Sequence, residues 1–457
     1  MELEPIERKR EKPQNSVALY VLLGMVVAML ALAGVAWVGF EGEEPQLSLT
    51  GNVSSIGLAK QISLAATDKK SGIRSVEVVL VQENKKTAVL AKSFPRQGYF
   101  NGAGPEKAEE SFEVAAKSLG FRDGDAQLLV TVTDFSWLNW LKGNVVTTSY
   151  PVVIDTRPPS VSVTSSPQYI KAGGAGVVAY RLGEQVERHG LLINDIFYPG
   201  FPLPKHGEGT YGACIGLPFD TERLDKVFVV AVDLAGNEAK VPFGMVLHPR
   251  KIPTDQITVS DAFLAAKLPE FASYYPELSG TPVEQYLKVN NDIRKANYQK
   301  IKEICVKFSP ERLWDGRFDR MEGSPRAGFA DHRTYLYEGS KIDEQVHLGV
   351  DIAALQHFEV KAANRGVVVF AEYLGIYGNT VILDHGQGIF SLYSHLSQIN
   401  ATMGSMLEKG DLLGLSGATG MAGGDHLHFS MIVNGIFVDP REWWDPQWLG
   451  HHMLNVL

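Results

Sequence analysis

A long apolar run close to the N-terminus divides this chain into two unequal parts. Residues 17–40 include no charged side chain. At about 1.5 Å per residue a helix over this run is about 36 Å long, which is enough to cross a hydrocarbon core of about 30 Å. A cleaved signal peptide is the alternative, but its apolar stretch is typically only about 7–15 residues long. The run therefore predicts a single uncleaved transmembrane anchor over residues 17–40.

Charges on either side of the run predict its orientation. Basic residues precede it and acidic residues follow it: Arg8, Lys9, Arg10 and Lys12 before, and Glu41, Glu43 and Glu44 after. Because basic flanks stay on the cytoplasmic side, residues 1–16 are expected to be a cytoplasmic N-terminus and the bulk of the chain to be periplasmic or extracytoplasmic. We expect a single-pass protein of the bacterial inner or cytoplasmic membrane.

Composition limits what the exported part can be. The formal net charge of −9 provides no global basic surface, so no nucleic-acid partner is expected. Two cysteines exclude a disulfide framework and any Cys-rich zinc module. In an oxidising compartment Cys214 and Cys305 either form one bridge or remain two buried free thiols.

Short strands with glycine and proline turns dominate the first half of the exported part. Residues 128–134 and 228–233 are two apolar strands that each end in aspartate, at Asp134 and Asp233, and each is followed by another strand and a proline-bearing joint. This self-similarity predicts two tandem β-sandwich modules, at 46–158 and 159–250, that resemble bacterial Ig-like domains. They are the expected source of reach and of contacts with envelope proteins.

The pattern becomes helical over residues 254–311. Thr281 and Glu284 form a capping box with Pro282 at the first helical position, and apolar residues then recur at helical spacing up to Phe308. The pattern predicts a helix of about six to seven turns. We expect a helical spacer, and the alternative is a helix that packs on a neighbouring domain without taking part in chemistry.

Histidines with metal-ligand spacing lie in residues 312–445, where short strands return. His347 and Asp351 form an HxxxD motif, and His426 and His428 form an HxH motif. On a strand, residues two apart face the same side, so both HxH rings can serve one small site. Two histidines and one aspartate with one open position are typical of a catalytic zinc site. A third histidine, His395, lies between the two motifs.

The C-terminal region resembles the M23 family of zinc metallopeptidases, the lysostaphin or LytM type. The motifs that carry the resemblance lie, in chain order, at residues 347–351, 360–368, 378–386, 392–397, 410–417, 424–429 and 438–440. The predicted fold class is mainly β: an N-terminal transmembrane helix, two Ig-like β-sandwich modules, a helical spacer and an M23-like antiparallel β domain over 312–445.

The resemblance also implies the roles of individual residues. It implies one Zn²⁺ per chain, held by His347, Asp351 and His428. The two remaining family histidines fall on His395 and His426, which are the available acid–base and oxyanion-stabilising groups because no HExxH glutamate is present. The sequence does not assign the two roles between them. Two further family positions near the cleft, Asn379 and Tyr393, are expected to contact substrate.

These inferences predict a membrane-anchored zinc metalloendopeptidase that hydrolyses peptide bonds of peptidoglycan stems or cross-links. One alternative is a cell-wall scaffold, or an activator of another hydrolase, that uses the M23-like domain for binding. A second alternative is a secreted peptidase that acts on protein, against which the uncleaved anchor argues.

Overall fold

The computed structural model describes residues 16–51, 53–98 and 102–457. An apolar helix begins this part of the chain. This helix, α1 (Ser16–Gly39), is long and apolar enough to cross a membrane, and a signal sequence would have the same features. Residues 1–15 of the predicted cytoplasmic segment lie outside the described residues. The chain divides into two units, the first reaching Arg157 and including Leu234–Asn237, the second holding the remainder to Leu457.

The first unit contains a β sandwich. Its strands are β1 (Gln46–Thr50), β2 (Ser55–Ile56), β3 (Lys60–Thr67), β4 (Ile73–Gln82), β5 (Lys85–Ser93), β6 (Lys107–Val114), β7 (Gly124–Asp134) and β8 (Val145–Ile154), with the short turn α2 (Leu138–Leu141) before β8. One sheet has the order β1-β3-β6 and the other β2-β8-β7-β4-β5. Alternate residues of β3, β4 and β7 point into one shared core. The Ig-like topology of this module stays a prediction.

A second pair of sheets opens the other unit. Its strands are β9 (Val161–Ser165), β10 (Tyr169–Lys171), β11 (Ala175–Leu182), β12 (Val186–Ile193), β13 (Ile196–Pro199), β14 (Phe201–Pro202), β15 (Thr210–Gly216), β16 (Val227–Asp233), β17 (Glu238–Pro242) and β18 (Val246–His248). Sheet β14-β15-β11-β9 packs on sheet β13-β12-β16-β17. The opposite face of β11 and β15 contributes Val177 and Cys214 to the core of the C-terminal domain, so this module and that domain share a buried interface.

The thiols are buried and unbridged. Cys214 lies in the interface just described, and Cys305 directly follows the helix that ends at Ile304, with its side chain in the core. Burial raises the pKa of both thiols, which keeps them protonated. Of the two alternatives that the sequence left open, the structure has two buried free thiols.

Residues 254–304 pack on the C-terminal domain. They form β19 (Thr254–Thr258), α3 (Asp261–Tyr274), α4 (Pro282–Lys288), a π-helical turn (Val289–Ile293) and α5 (Arg294–Ile304). The predicted capping box is present, since Thr281 and Glu284 exchange side-chain and backbone hydrogen bonds. The prediction of a spacer is wrong, because Phe271, Val289 and Ile301 are buried in a core with residues of the C-terminal sheet.

The C-terminal domain is a β fold whose main sheet has the order β20-β23-β31-β27-β26-β25-β29. Its strands are β20 (Ser324–Ala327), β21 (Asp331–Tyr337), β22 (Ser340–His347), β23 (Val350–Ala353), β24 (Glu359–Lys361), β25 (Gly366–Tyr373), β26 (Asn379–Asp384), β27 (Ile389–Leu396), β28 (Gln398–Ile399), β29 (Met406–Leu407), β30 (Leu412–Leu415), β31 (Leu427–Val433) and β32 (Ile436–Val438), followed by α6 (Pro440–Trp444) and α7 (Pro446–Leu449). Strand β19 pairs in parallel with β21, so the helical segment begins as an added strand of this domain.

Candidate metal centre

Three side chains from three strands converge at one point of the C-terminal domain. His347 ends β22, and Asp351 on β23 lies directly opposite His428 on β31. The Oδ1 atom of Asp351 lies 2.9 Å from Nε2 of His347 and 3.0 Å from Nδ1 of His428, and the two nitrogens are 2.9 Å apart. All three residues are buried. One oxygen and two nitrogens therefore face a single small volume.

The hydrogen bonds of the two rings leave lone pairs on the converging nitrogens. Nδ1 of His347 lies 2.8 Å from the Gly328 carbonyl, so it carries the proton and donates it there. The Ser430 hydroxyl donates to the Leu348 carbonyl at 2.8 Å, so it accepts from Nε2 of His428 at 3.0 Å. In the neutral rings, Nε2 of His347 and Nδ1 of His428 are then unprotonated. This orientation by outer hydrogen bonds is characteristic of metal-binding histidines.

Asp351 is held as a carboxylate. Burial alone would raise the pKa of Asp351, but the surrounding His347, His426 and His428 outweigh burial and hold that pKa well below its usual value. The second oxygen, Oδ2, accepts a hydrogen bond of 3.2 Å from Arg333 on β21. The Nε atom of Arg333 is buried without a partner. Arg333 thus orients the carboxylate and adds a positive charge beside it.

His395 and His426 flank the converging group, with ring centroids 4.9 Å apart. Nδ1 of His395 donates to the Thr419 carbonyl at 2.8 Å, and Nδ1 of His426 donates to the Gly424 carbonyl at 2.8 Å, so both rings leave Nε2 for other partners. Burial and the neighbouring histidines lower the pKa of His395. For His426 the Asp351 carboxylate outweighs burial, and the pKa is raised.

Two backbone features maintain this geometry. His395 has φ of +64°, a left-handed conformation that is unfavourable for residues other than glycine and that tertiary contacts must hold in place. Gly349 lies under the His428 ring: a Cβ atom there would come within 2.5 Å of Cε1 and Nε2 of that ring and within 2.6 Å of the Ser430 hydroxyl. Gly349 therefore makes room for the His428 ring.

The converging group and both flanking histidines line a cavity of about 380 Å³. Strand β19 and the helical segment cover it, with lining residues Asp255, Ile257, Thr258, Val259, Phe263, Tyr286, Asn290 and Arg294. A larger cavity of about 1140 Å³ lies against α5 and shares Arg294, His347, Tyr377 and His428 with the first. The site is therefore enclosed on the side that the helical segment covers.

Helix α3 is fastened to the glycine-rich loop that precedes the HxH motif. The Lys267 ammonium donates to the Ala418 carbonyl, and the Gly420 amide donates to the Glu270 carboxylate at 2.6 Å. Burial lowers the pKa of Lys267, although Glu270 opposes this effect. These two side chains join the covering helix to the loop that carries His426 into the site.

Tyr393 and Asn379, the two expected substrate contacts, do not line the cavity that contains the other predicted site residues. Tyr393 is only 1% exposed, and its hydroxyl accepts hydrogen bonds from the Ala363 amide and the Ser391 hydroxyl inside the core. The expectation for Tyr393 is therefore wrong, since no side-chain surface remains for a substrate. The Asn379 amide donates to the Leu396 carbonyl at 3.0 Å, and Asn379 does not line the cavity around the converging group.

Sequence reasoning missed Arg333, Ser430 and the covering helix. Ser430 had a usable signal, because it follows His428 at the strand period of two and faces the same side. No local sequence pattern indicated Arg333 or α3, because strand pairing and loop contacts bring them to the site from distant positions in the sequence.

Comparison with known proteins places residues 345–440 in peptidase family M23. Over 96 residues the chain is 38% identical to the DD-carboxypeptidase/endopeptidase Mpg of Neisseria meningitidis, covering 21% of this chain and 22% of Mpg. It is 35% identical over 95 residues to the murein hydrolase activator EnvC of Escherichia coli, covering 21% of this chain and 23% of EnvC. The matches thus span about a fifth of each relative's length. The catalytic domain of lysostaphin from Staphylococcus simulans aligns with a TM-score of 0.23 and 29% identity, over 27% of this chain and 92% of that domain.

Replacing Gly349 tests whether the close approach of the His428 ring is needed for metal binding. Gly349→Ala should weaken zinc binding by at least about tenfold, because the added methyl group displaces the ring. The dissociation constant is measured by competition with a chromophoric chelator on the full-length protein in detergent. Gly423→Ala, where a Cβ meets nothing within 4 Å, is the control. Equal affinities for both variants would contradict the role of Gly349.

Removing the Ser430 hydroxyl tests the orientation of His428. In Ser430→Ala the ring loses the acceptor that fixes its protonated nitrogen, so zinc affinity should fall roughly 10- to 100-fold. The same competition assay measures it, and Ser405→Ala, which changes a half-buried serine of the same domain that does not line the cavity, should bind zinc as the unmodified protein does. An unchanged affinity would show that the hydroxyl does not set the ring's orientation.

Proposed function

We propose, on the premise that residues 345–440 form a peptidase family M23 domain, that this protein is a membrane-anchored zinc metalloendopeptidase that hydrolyses peptide bonds of peptidoglycan stems or cross-links. The observation that carries the proposal is the convergence of His347, Asp351 and His428, whose unprotonated ligand atoms lie 2.9–3.0 Å apart. The names of relatives support the reaction and the substrate class: one is a DD-carboxypeptidase/endopeptidase, and another is a peptidoglycan DD-endopeptidase.

The donor set fits zinc. Two imidazole nitrogens and one carboxylate oxygen are ligands that Zn²⁺ takes readily, and three protein ligands leave a coordination position open. Zinc held there supplies Lewis acidity, which activates water and polarises the scissile carbonyl. His347, Asp351 and His428 would hold it, with Arg333 orienting the carboxylate.

His395 and His426 would transfer protons and stabilise the negative charge that develops on the substrate. Nε2 of His395 is unprotonated in the neutral ring and can accept a proton, since Nδ1 is committed to the Thr419 carbonyl. His426 also leaves its Nε2 available, 3.6 Å from Oδ1 of Asp351, and can donate to an oxyanion or to the leaving amine. Both rings are fixed through backbone carbonyls, so they need little reorganisation when substrate is present.

The anchor supports the same function. Helix α1 as an uncleaved span, with the basic flank in the cytoplasm, would hold the catalytic domain on the outer side of the membrane, where peptidoglycan lies. We propose an inner-membrane or cytoplasmic-membrane location on this basis. The β modules are the proposed contact surfaces for other envelope proteins.

The covered cavity supports a second candidate function, activation of another hydrolase. A volume of about 380 Å³ is the size of a short peptide, and strand β19 and the helical segment line it, which supports restricted access of polymeric peptidoglycan to the site. A relative over the same residues is named a murein hydrolase activator. The enzyme requires that the contacts between α3 and the glycine-rich loop open at times to admit substrate, whereas the activator does not.

Metal content and reaction products test the proposed enzyme directly. The full-length protein in detergent should contain about one zinc per chain and release new peptide termini from purified peptidoglycan, read by mass spectrometry. His428→Ala should lose both properties, because it removes one of three proposed ligands. His451→Ala, an exposed histidine near the C-terminus, is the matched control. Product formation by His428→Ala at the unmodified rate would contradict the assignment.

Loosening α3 separates the enzyme from the activator. Replacing both Lys267 and Glu270 by Ala removes two hydrogen bonds between α3 and the loop, each involving a charged group and worth about 1.5–3 kcal/mol. Hydrolysis of polymeric peptidoglycan should rise at least about tenfold, because open molecules become more frequent.

The control for this variant replaces the exposed residues Glu277 and Lys300, which should leave the rate unchanged. If the loosened protein binds zinc and still cleaves no peptidoglycan, the activator function is favoured over the enzyme.

A further inference from the structure

Three buried carboxylates meet in the first unit, far in sequence from the metallopeptidase motifs. Glu41 follows the end of α1, Asp68 follows β3, and Asp134 ends β7. One oxygen of each lies within 4.8 Å of the others, and the residues are 7%, 6% and 0% exposed. Burying three such groups together is costly unless a cation compensates them.

Protein groups compensate these charges only in part. Asp134 accepts from the Ser136 and Asn144 amides and from the Asn144 side chain, and Asp68 accepts from the amides of two residues in its turn. The ion pairs found among the described residues include none to the three carboxylates, and the nearby Lys70 pairs with Glu43 at 2.6 Å.

Unsatisfied oxygens face the cluster. Oε1 of Glu41 is buried without a hydrogen-bond partner, and so is the hydroxyl of Ser71, a residue that is 6% exposed. That hydroxyl is close enough to the Glu41 carboxylate to act on its pKa. Burial, together with the charges of Asp68 and Asp134, raises the pKa of Glu41. A bound cation would satisfy both the buried Ser71 hydroxyl oxygen and the Oε1 atom of Glu41, neither of which has a hydrogen-bond partner.

We propose that Glu41, Asp68 and Asp134, with the Ser71 hydroxyl, bind one Ca²⁺ ion. Hard oxygen ligands that include several carboxylates are the preference of Ca²⁺, whereas zinc prefers nitrogen and sulfur. Mg²⁺ demands a stricter octahedron and keeps several waters, which suits a buried carboxylate cluster less well.

The position of the site gives the ion a structural role. The Ser136 hydroxyl donates to the Glu41 carbonyl at 2.7 Å, and the Trp137 amide donates to the Gly39 carbonyl at 2.8 Å. The segment leaving α1 is thus already docked on the loop between β7 and β8. A Ca²⁺ ion shared by Glu41, Asp68 and Asp134 would fasten the end of the anchor helix to the sandwich.

The test uses the full-length protein in detergent, stripped of calcium and loaded with zinc. Equilibrium dialysis with radioactive Ca²⁺ should find one tightly bound ion per chain, and hydrogen exchange should slow by at least about tenfold in peptides that cover residues 41–44, 68–72 and 134–144. Glu41→Gln should lose both effects. Glu77→Gln, an exposed carboxylate of the same module, should retain both.

A second measurement separates loss of the site from misfolding. Without calcium, Glu41→Gln should exchange more slowly than the unmodified protein over these peptides, because one buried negative charge is gone. With calcium the order should reverse. Asp351→Asn, which removes a proposed zinc ligand, should still bind the ion.

Failure to bind Ca²⁺, unchanged binding in Glu41→Gln, loss of binding in Asp351→Asn, or equal protection by Mg²⁺ at the same concentration would each overturn the proposal.

Discussion

The pairing of β23 with β31 is the constraint on which the candidate metal centre depends. Only the register that places Asp351 opposite His428 brings a carboxylate and an imidazole from different strands to the same point. A shift by one residue would turn one of them to the other face of the sheet. Gly349 contributes to the same register by leaving room for the His428 ring, and His347 completes the group from the end of β22. The chemistry of the domain thus follows from strand pairing.

The helical segment, residues 254–304, both covers the candidate metal centre and packs in the core of the second unit. Its inner face is part of the core, through Phe271, Val289 and Ile301, so the segment cannot detach as a whole without exposing large apolar side chains. The contacts of α3 with the loop at Ala418 and Gly420 are few and polar by comparison. Because Phe271 lies on α3 itself, any opening of the cavity is expected to be a local movement of this loop away from α3, with Phe271 and α5 remaining packed.

The sequence predicted the parts whose signals are local. The HxxxD and HxH motifs, the apolar helix and the Thr281–Glu284 capping box each depend on spacing within a few residues. Tyr393 was misjudged because every residue of β27 is buried, so alternation along that strand cannot distinguish a cleft position from a core position. The packing of residues 254–304 on the C-terminal domain was not predicted for another reason. An apolar helix face indicates that another element covers it, but it does not identify that element.

Asp351 and Glu41 show how neighbours decide the state of a buried carboxylate. Both are largely removed from water, and burial alone would raise the pKa of each. Histidines surround Asp351 and outweigh burial, so the pKa of Asp351 falls. For Glu41 the charges of Asp68 and Asp134 add to the larger effect of burial, so its pKa rises. The first arrangement is a carboxylate ready to bind a cation beside nitrogen ligands, with Arg333 already in place. The second consists of oxygen ligands alone, which suits the calcium ion proposed above, and Ser136 and Asn144 already donate hydrogen bonds to the buried Asp134 carboxylate.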